Sequence, residues 1–179
     1  MEVGQARQRK DEQMSEQQPT GVNTEDGLVI ERVFDAPREL VFRAWTEPDH
    51  FAQWYGPNGF TTPHCVLDVR VGGRLHFCMR NEQMGDMWNA GVYQIIDPPS
   101  RLVYTNYMAD EDGNRVAPSQ FGIGEGFPDE TVVDLSFEDL GAGKTKMTMR
   151  HSIPSTMAGH AAEGWSQSFD RLGEYLKAM

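Results

Sequence analysis

The chain has 179 residues and sets 27 acidic side chains against 16 basic ones, a net charge of -11. So acidic a balance excludes a nucleic-acid groove or an anionic membrane as the main partner, since both reward clustered Lys and Arg. The length fits one domain with a tail. With only Cys65 and Cys78, no apolar run near the roughly 18 residues that span a bilayer, and no charged-then-apolar leader, the expectation is a reduced, cytoplasmic protein.

In chain order, Met1 to Asp26 hold Gln, Glu, Arg, Lys and Ser with almost no large apolar group, and read as a disordered tail at 1–26 before a single domain at 27–179. Leu28 to Phe34 has the β-branched and apolar content of a half-buried strand. Asp35-Ala36-Pro37 stops it and starts a short helix with Leu40, Val41, Ala44 and Trp45 on one face; Thr46-Glu47-Pro48 repeats the device for a second short helix carrying Phe51 and Trp54. The period then changes to two. Cys65, Leu67 and Val69 alternate with Val66, Asp68 and Arg70, Gly72-Gly73 turns the chain, and Leu75, Phe77 and Met79 alternate with Arg74, His76, Cys78 and Arg80. Met87 to Ile96 and Arg101 to Met108 continue the meander. After a polar, Gly-rich excursion from Ala109 to Glu130, strands at Thr131 to Glu138 and Thr145 to Ile153 complete about seven. Val133, Leu135, Phe137, Met147, Met149 and His151 fall on the inward parity. From Ser155 to Met179, Ala161, Trp165, Phe169, Leu172 and Leu176 recur at helical spacing, and a helix of roughly 20 residues needs a large partner surface for such a stripe. The predicted fold class is α+β, a curved antiparallel sheet around a long C-terminal helix.

Phe34-Asp35-Ala36-Pro37 with Val41 and Trp45, then Trp54-Tyr55-Gly56-Pro57, Gly72-Gly73-Arg74, Pro98-Pro99 with Arg101-Leu102, Thr145-Lys146-Met147-Thr148, and Gly164-Trp165 with Arg171-Leu172 resemble, in order and spacing, the activator of Hsp90 ATPase homologue 1-like domain family. The resemblance covers about Gly27 to Met179. It implies the helix-grip fold of the START-like, Bet v 1-like superfamily, whose members range from lipid carriers to polyketide cyclases; relatives of this kind are mostly small bacterial proteins. Eukaryotic Hsp90 activators carry an additional N-terminal domain, and nothing before Gly27 is long or apolar enough to match it.

A space between helix and sheet is where function would sit, and its candidate lining is Trp54, Trp88, Tyr93, Tyr104, Tyr107, Phe121, Phe127, Met149, His151, Trp165 and Phe169. His151 is the titratable residue on the inward parity; the alternatives are an acid or base and a hydrogen-bonded histidine at a strand end. His64, Cys65, His76 and Cys78 invite zinc, but adjacent His64 and Cys65 must point to opposite faces of a strand, so no metal is expected. No catalytic residue or cofactor is assigned. Phe121 and Phe127 anchor the excursion, which could cover a cavity mouth or simply be pinned to the sheet. The leading reading is a binding protein for a small or medium-sized hydrophobic molecule, as monomer or homodimer. The alternatives are a co-chaperone-type module that binds a chaperone or other protein, and a cyclase-like or hydrolytic enzyme.

Overall fold

The computed structural model describes residues 20–24 as backbone and 27–179 in full. Eight antiparallel strands form one sheet: β1 (Thr20–Thr24), β2 (Gly27–Phe34), β3 (Thr61–Leu67), β4 (Arg74–Asn81), β5 (Gly85–Asp97), β6 (Arg101–Ala109), β7 (Thr131–Gly141) and β8 (Lys144–His151), in the spatial order β1-β2-β8-β7-β6-β5-β4-β3. Helices α1 (Arg38–Thr46) and α2 (Pro48–Trp54) connect β2 to β3 across the sheet, and α3 (Ala158–Leu176) follows β8. This is the α+β helix-grip architecture, with β2 to β8 as the seven expected strands. β1 is the difference. It pairs with β2 from Thr20–Glu31 to Thr24–Gly27, inside the stretch read as a tail; the rest of that stretch lies outside the described residues. Its sequence, TGVNT, offers one apolar residue, so backbone pairing rather than side-chain pattern makes it a strand.

The core lies between the concave face of the sheet and the three helices. Cross-strand partners share a face, so Ile30, Met149, Leu135 and Leu102 form one row across β2, β8, β7 and β6, each 0 % exposed. The motifs of the family resemblance meet in space. Arg171 of α3 donates to the carbonyls of Gly56 (2.7 Å) and Pro57 (3.1 Å), and the Thr145 hydroxyl donates to the Ala36 carbonyl at 2.7 Å. At the Gly72-Gly73 turn, a Cβ on Gly73 would stand 1.9 Å from the Asp68 carbonyl oxygen, so only glycine fits there. Arg32, inward on β2, fixes the middle of α3 by bonding Asp170 (2.6 Å) and the Ser166 carbonyl (3.3 Å).

Among the described residues no helix is long and apolar enough to cross a membrane, which leaves strand-built barrels aside.

Candidate functional site

The two halves of α3 meet the sheet differently. In the second half Phe169, Leu172 and Leu176 are buried, and Phe169 joins an aromatic cluster. Trp45 stands 4.7 Å from Trp54 between ring centroids, Phe51 stacks on Tyr55 at 4.1 Å, and Tyr55 meets Phe77 at 4.8 Å. In the first half, Ala158 to Trp165, only Ala158 is buried. Ala161, Ala162 and Trp165 are half-buried against the core, and the Trp165 ring lies 5.5 Å from Phe169 and 5.7 Å from Tyr55 between centroids.

That polar band runs across four strands. On the inward parity stand Asn89 of β5, Asn106 of β6, Thr131 of β7 and His151 of β8, joined to α3 through Trp165. The Trp165 indole N–H donates to His151 Nδ1 at 3.1 Å, and His151 Nε2 lies 3.0 Å from the Thr131 hydroxyl. An indole nitrogen only donates, so Nδ1 must accept and the proton of the neutral ring sits on Nε2, which donates to Thr131. Thr131 in turn donates to the Asn106 carbonyl at 3.3 Å. The Asn89 side-chain N–H2 is directed to the Met87 carbonyl at 3.4 Å, which turns Asn89 Oδ1 toward the Asn106 amide nitrogen, also 3.4 Å away. Asn106 Oδ1 is then left buried with no hydrogen-bond partner. Burial alone pulls the His151 pKa down from 6.5 to about 4, so the ring is neutral near pH 7.

The sequence-predicted residues divide among three places. Trp54, Tyr93, Tyr104, Met149 and Phe169 are buried core side chains. The Trp54 indole N–H is satisfied by the Ala44 carbonyl at 3.0 Å. The buried Tyr104 hydroxyl meets the Tyr55 phenol, and its pKa is driven well up by burial and by the Tyr55 and Tyr93 phenols. His151 and Trp165 belong to the band.

Trp88 and Tyr107 do not face the helix. Trp88 pairs with Cys78, on the parity opposite to Phe77, and Tyr107 is three residues from inward Tyr104, so both stand on the convex face. There Trp88 stacks on His76 at 4.9 Å, with His64 5.1 Å away. The same parity puts Cys65 on the concave face, apart from His64, His76 and Cys78. Cys65 and Cys78 are free thiols, and burial pushes the Cys65 thiol up to about 12.

The excursion begins on the convex face as well. Arg74 donates to the Gly113 carbonyl (2.9 Å), His76 Nε2 lies 3.2 Å from the Asp110 carbonyl, and the Arg115 guanidinium sits 4.2 Å from the Tyr107 ring centre. Farther along, Phe127 packs half-buried against the core, whereas Phe121, at the end of a single turn of 3-10 helix at Pro118–Phe121, is half-buried outside it.

Asn89, Asn106 and Thr131 were not singled out from the sequence, although a signal was present. Each shares the parity of apolar core residues, and a polar residue there must find a hydrogen bond inside the protein.

The family model described as Activator of Hsp90 ATPase homolog 1-like protein matches residues 35–177. The chain belongs to that family. Solved structures of bacterial relatives agree on the fold. A protein from Arthrobacter aurescens superposes with a TM-score of 0.72 at 20% identity, over 90% of this chain and 92% of that one. The AHSA1 protein from Silicibacter pomeroyi gives 0.68 at 24%, over 84% and 97%. CalU16 from Micromonospora echinospora gives 0.55 at 20%, over 89% and 83%. No curated protein matches the chain.

Proposed function

We propose that the domain binds a small or medium-sized, mainly apolar ligand between the first half of α3 and the polar band of the sheet. The observation that carries this reading is the half-buried stripe of Ala161, Ala162 and Trp165 on α3, joined through the Trp165–His151 bond to a row of inward hydrogen-bonding side chains, Asn89, Asn106, Thr131 and His151. Apolar area removed from water, at about 25 cal/mol per Å², supplies the affinity, and the band orients the ligand. The fold shared with bacterial relatives supports a binding domain of this kind. For a chaperone-type docking role, the large exposed apolar residues among those described, Val66, Val71, Met84, Ile95 and Leu140, supply no run of exposed apolar side chains on one element. An acid–base enzyme has less behind it: His151 has both ring nitrogens engaged within the protein and a pKa held near 4. Free Cys65 and Cys78 on opposite faces fit a reducing, cytoplasmic setting.

The test is a titration with the uncharged fluorophore N-phenyl-naphthylamine, alongside mass spectrometry of what co-purifies. Ala161→Trp, which adds bulk to the half-buried stripe, should abolish probe binding without lowering the melting temperature. Undiminished binding in this variant overturns the placement.

A further inference from the structure

We infer that the convex face carries a second site, a groove over β2, β8 and β7 that takes a small monocarboxylate on an apolar body. It is separate from the site between α3 and the sheet. The inward row Ile30, Met149 and Leu135 fixes the parity, so Val29, Arg150 and Asp134, each one residue away and paired across the strands, point outward. Val132 and Ser152 follow on the same face, tied by two bonds: the Ser152 N–H donates to the Val132 carbonyl at 3.0 Å, and the Val132 N–H donates to Ser152 Oγ at 2.7 Å. These five residues line a cavity of about 380 Å³, with Leu28 and His151 beneath it.

The balance of charges selects the ligand. Among the described residues every Arg and Lys except Arg150 is held by a carboxylate, a carbonyl or a hydroxyl of the protein. Arg150 lines the groove, exposed and without such a partner. Asp134, opposite it on β7, has both oxygens committed to Arg101, at 3.2 and 2.8 Å. Glu31, the next outward residue on β2, is held by Lys146 at 2.9 Å. In a chain of net charge -11 an unpaired guanidinium is the exception, and its planar fork matches a carboxylate bidentately. The Ser152 hydroxyl, two residues on, accepts from Val132 and keeps its own proton to donate. Half-buried Val29 and Val132 stand on the strands either side of β8, where they shield an apolar body from water. One negative charge is the limit. A second, as on a phosphate monoester, would face Asp134 with no further unpaired cation.

The experiment follows the backbone amides of the full chain by heteronuclear NMR while naphthoate, naphthylmethanol or naphthyl phosphate is added at low salt, where an exposed charge contact is least screened. Naphthoate should shift the amides of Val29, Val132 and Ser152 saturably, with an affinity at least about fivefold above that of the alcohol or the phosphate. Arg150→Gln should lower that affinity about fivefold, and Arg150→Lys, which keeps the charge but not the fork, should fall between. Arg150 is exposed, so the variants should keep the wild-type spectrum away from the groove. The absence of saturable shifts, equal binding of the alcohol, undiminished binding in Arg150→Gln, or shifts centred on Ala161 and Trp165 would each overturn the site. Tighter binding of the phosphate overturns the monoanion assignment. N-phenyl-naphthylamine should bind Arg150→Gln as it binds the wild type, and a loss there overturns the separation of the two sites.

Discussion

One helix, α3, carries two different contacts with the same sheet. Its second half offers Phe169, Leu172 and Leu176 to an aromatic and aliphatic core, and these side chains are buried. Its first half offers Ala161 and Ala162 beside Trp165 to a band of Asn, Thr and His. Where large apolar groups meet, burial is complete and the structure is held by packing. Where small groups meet polar ones, a hydrogen-bond chain adds to the packing of one large ring, Trp165, against Trp45, Tyr55 and Phe169. The difference is chemical as well as steric: one half is stabilised by area removed from water alone, the other by partial burial together with a directional chain of donors and acceptors.

Stability should therefore depend on the two halves unequally. Phe169→Ala removes a fully buried ring from the aromatic cluster and is expected to cost about 3–5 kcal/mol, read as a fall in the denaturant midpoint. A loss below about 1 kcal/mol would mean that the second half is no better packed than the first.

The next effect belongs to the band and is seen through pH. The folded-state pKa of His151 lies near 4, below its unfolded value near 6.5, so the unfolded chain takes up the proton more readily. The stability tied to this group is fully present above about pH 6.5 and is lost as pH falls through 4, about 3 kcal/mol in all. Native and His151→Gln proteins compared by urea unfolding at neutral pH and at about pH 4.5 should differ in slope, with the variant flatter. Parallel curves would show that His151 is not protected from protonation.

Much of this molecule was legible in its sequence. The alternation through Cys65, Leu67, Leu75 and Phe77 gave the faces of β3 and β4, Pro37 and Pro48 marked the starts of two helices, and the stripe on α3 gave its buried side. The site was harder to read because aromaticity drew more notice than parity. Tyr104 and Tyr107 are three apart on one strand and cannot share a face, and Trp88 is one residue from inward Asn89, so counting by twos separates cavity-facing from convex-face residues. The same count through β5, β6 and β7 puts Asn89, Asn106 and Thr131 inside. What no count supplies is the pairing of distant strand ends that lines these residues up with His151 and Trp165. β1 was hidden for a related reason, since its sequence has no alternating apolar pattern and its pairing runs along the edge of β2.

Trp165→Ala sharpens the comparison from the side of α3. The residue is half-buried and its lost indole bond leaves His151 Nδ1 unpaired, so about 1–2 kcal/mol of stability should go, clearly less than for Phe169→Ala. Probe affinity should fall by a comparable amount. A stability loss equal to that of Phe169→Ala would make the first half of α3 ordinary core and remove the distinction between the two ends.

The smallest effect tests whether the excursion from Ala109 to Glu130 borders the proposed site. Its first turns are held on the convex face by contacts with Arg74, His76 and Arg115. Phe127, by contrast, comes back to pack half-buried against the core just before β7, close in sequence to Thr131 of the band. If it borders the ligand, Phe127→Ala should weaken N-phenyl-naphthylamine binding by about 1 kcal/mol through lost apolar contact, with little change in melting temperature. Phe121→Ala, on a side chain outside the core cluster, should leave both quantities unchanged and serves as the internal control. Equal probe affinity in the two variants would detach the excursion from the site and leave Trp165 and the band as its boundary.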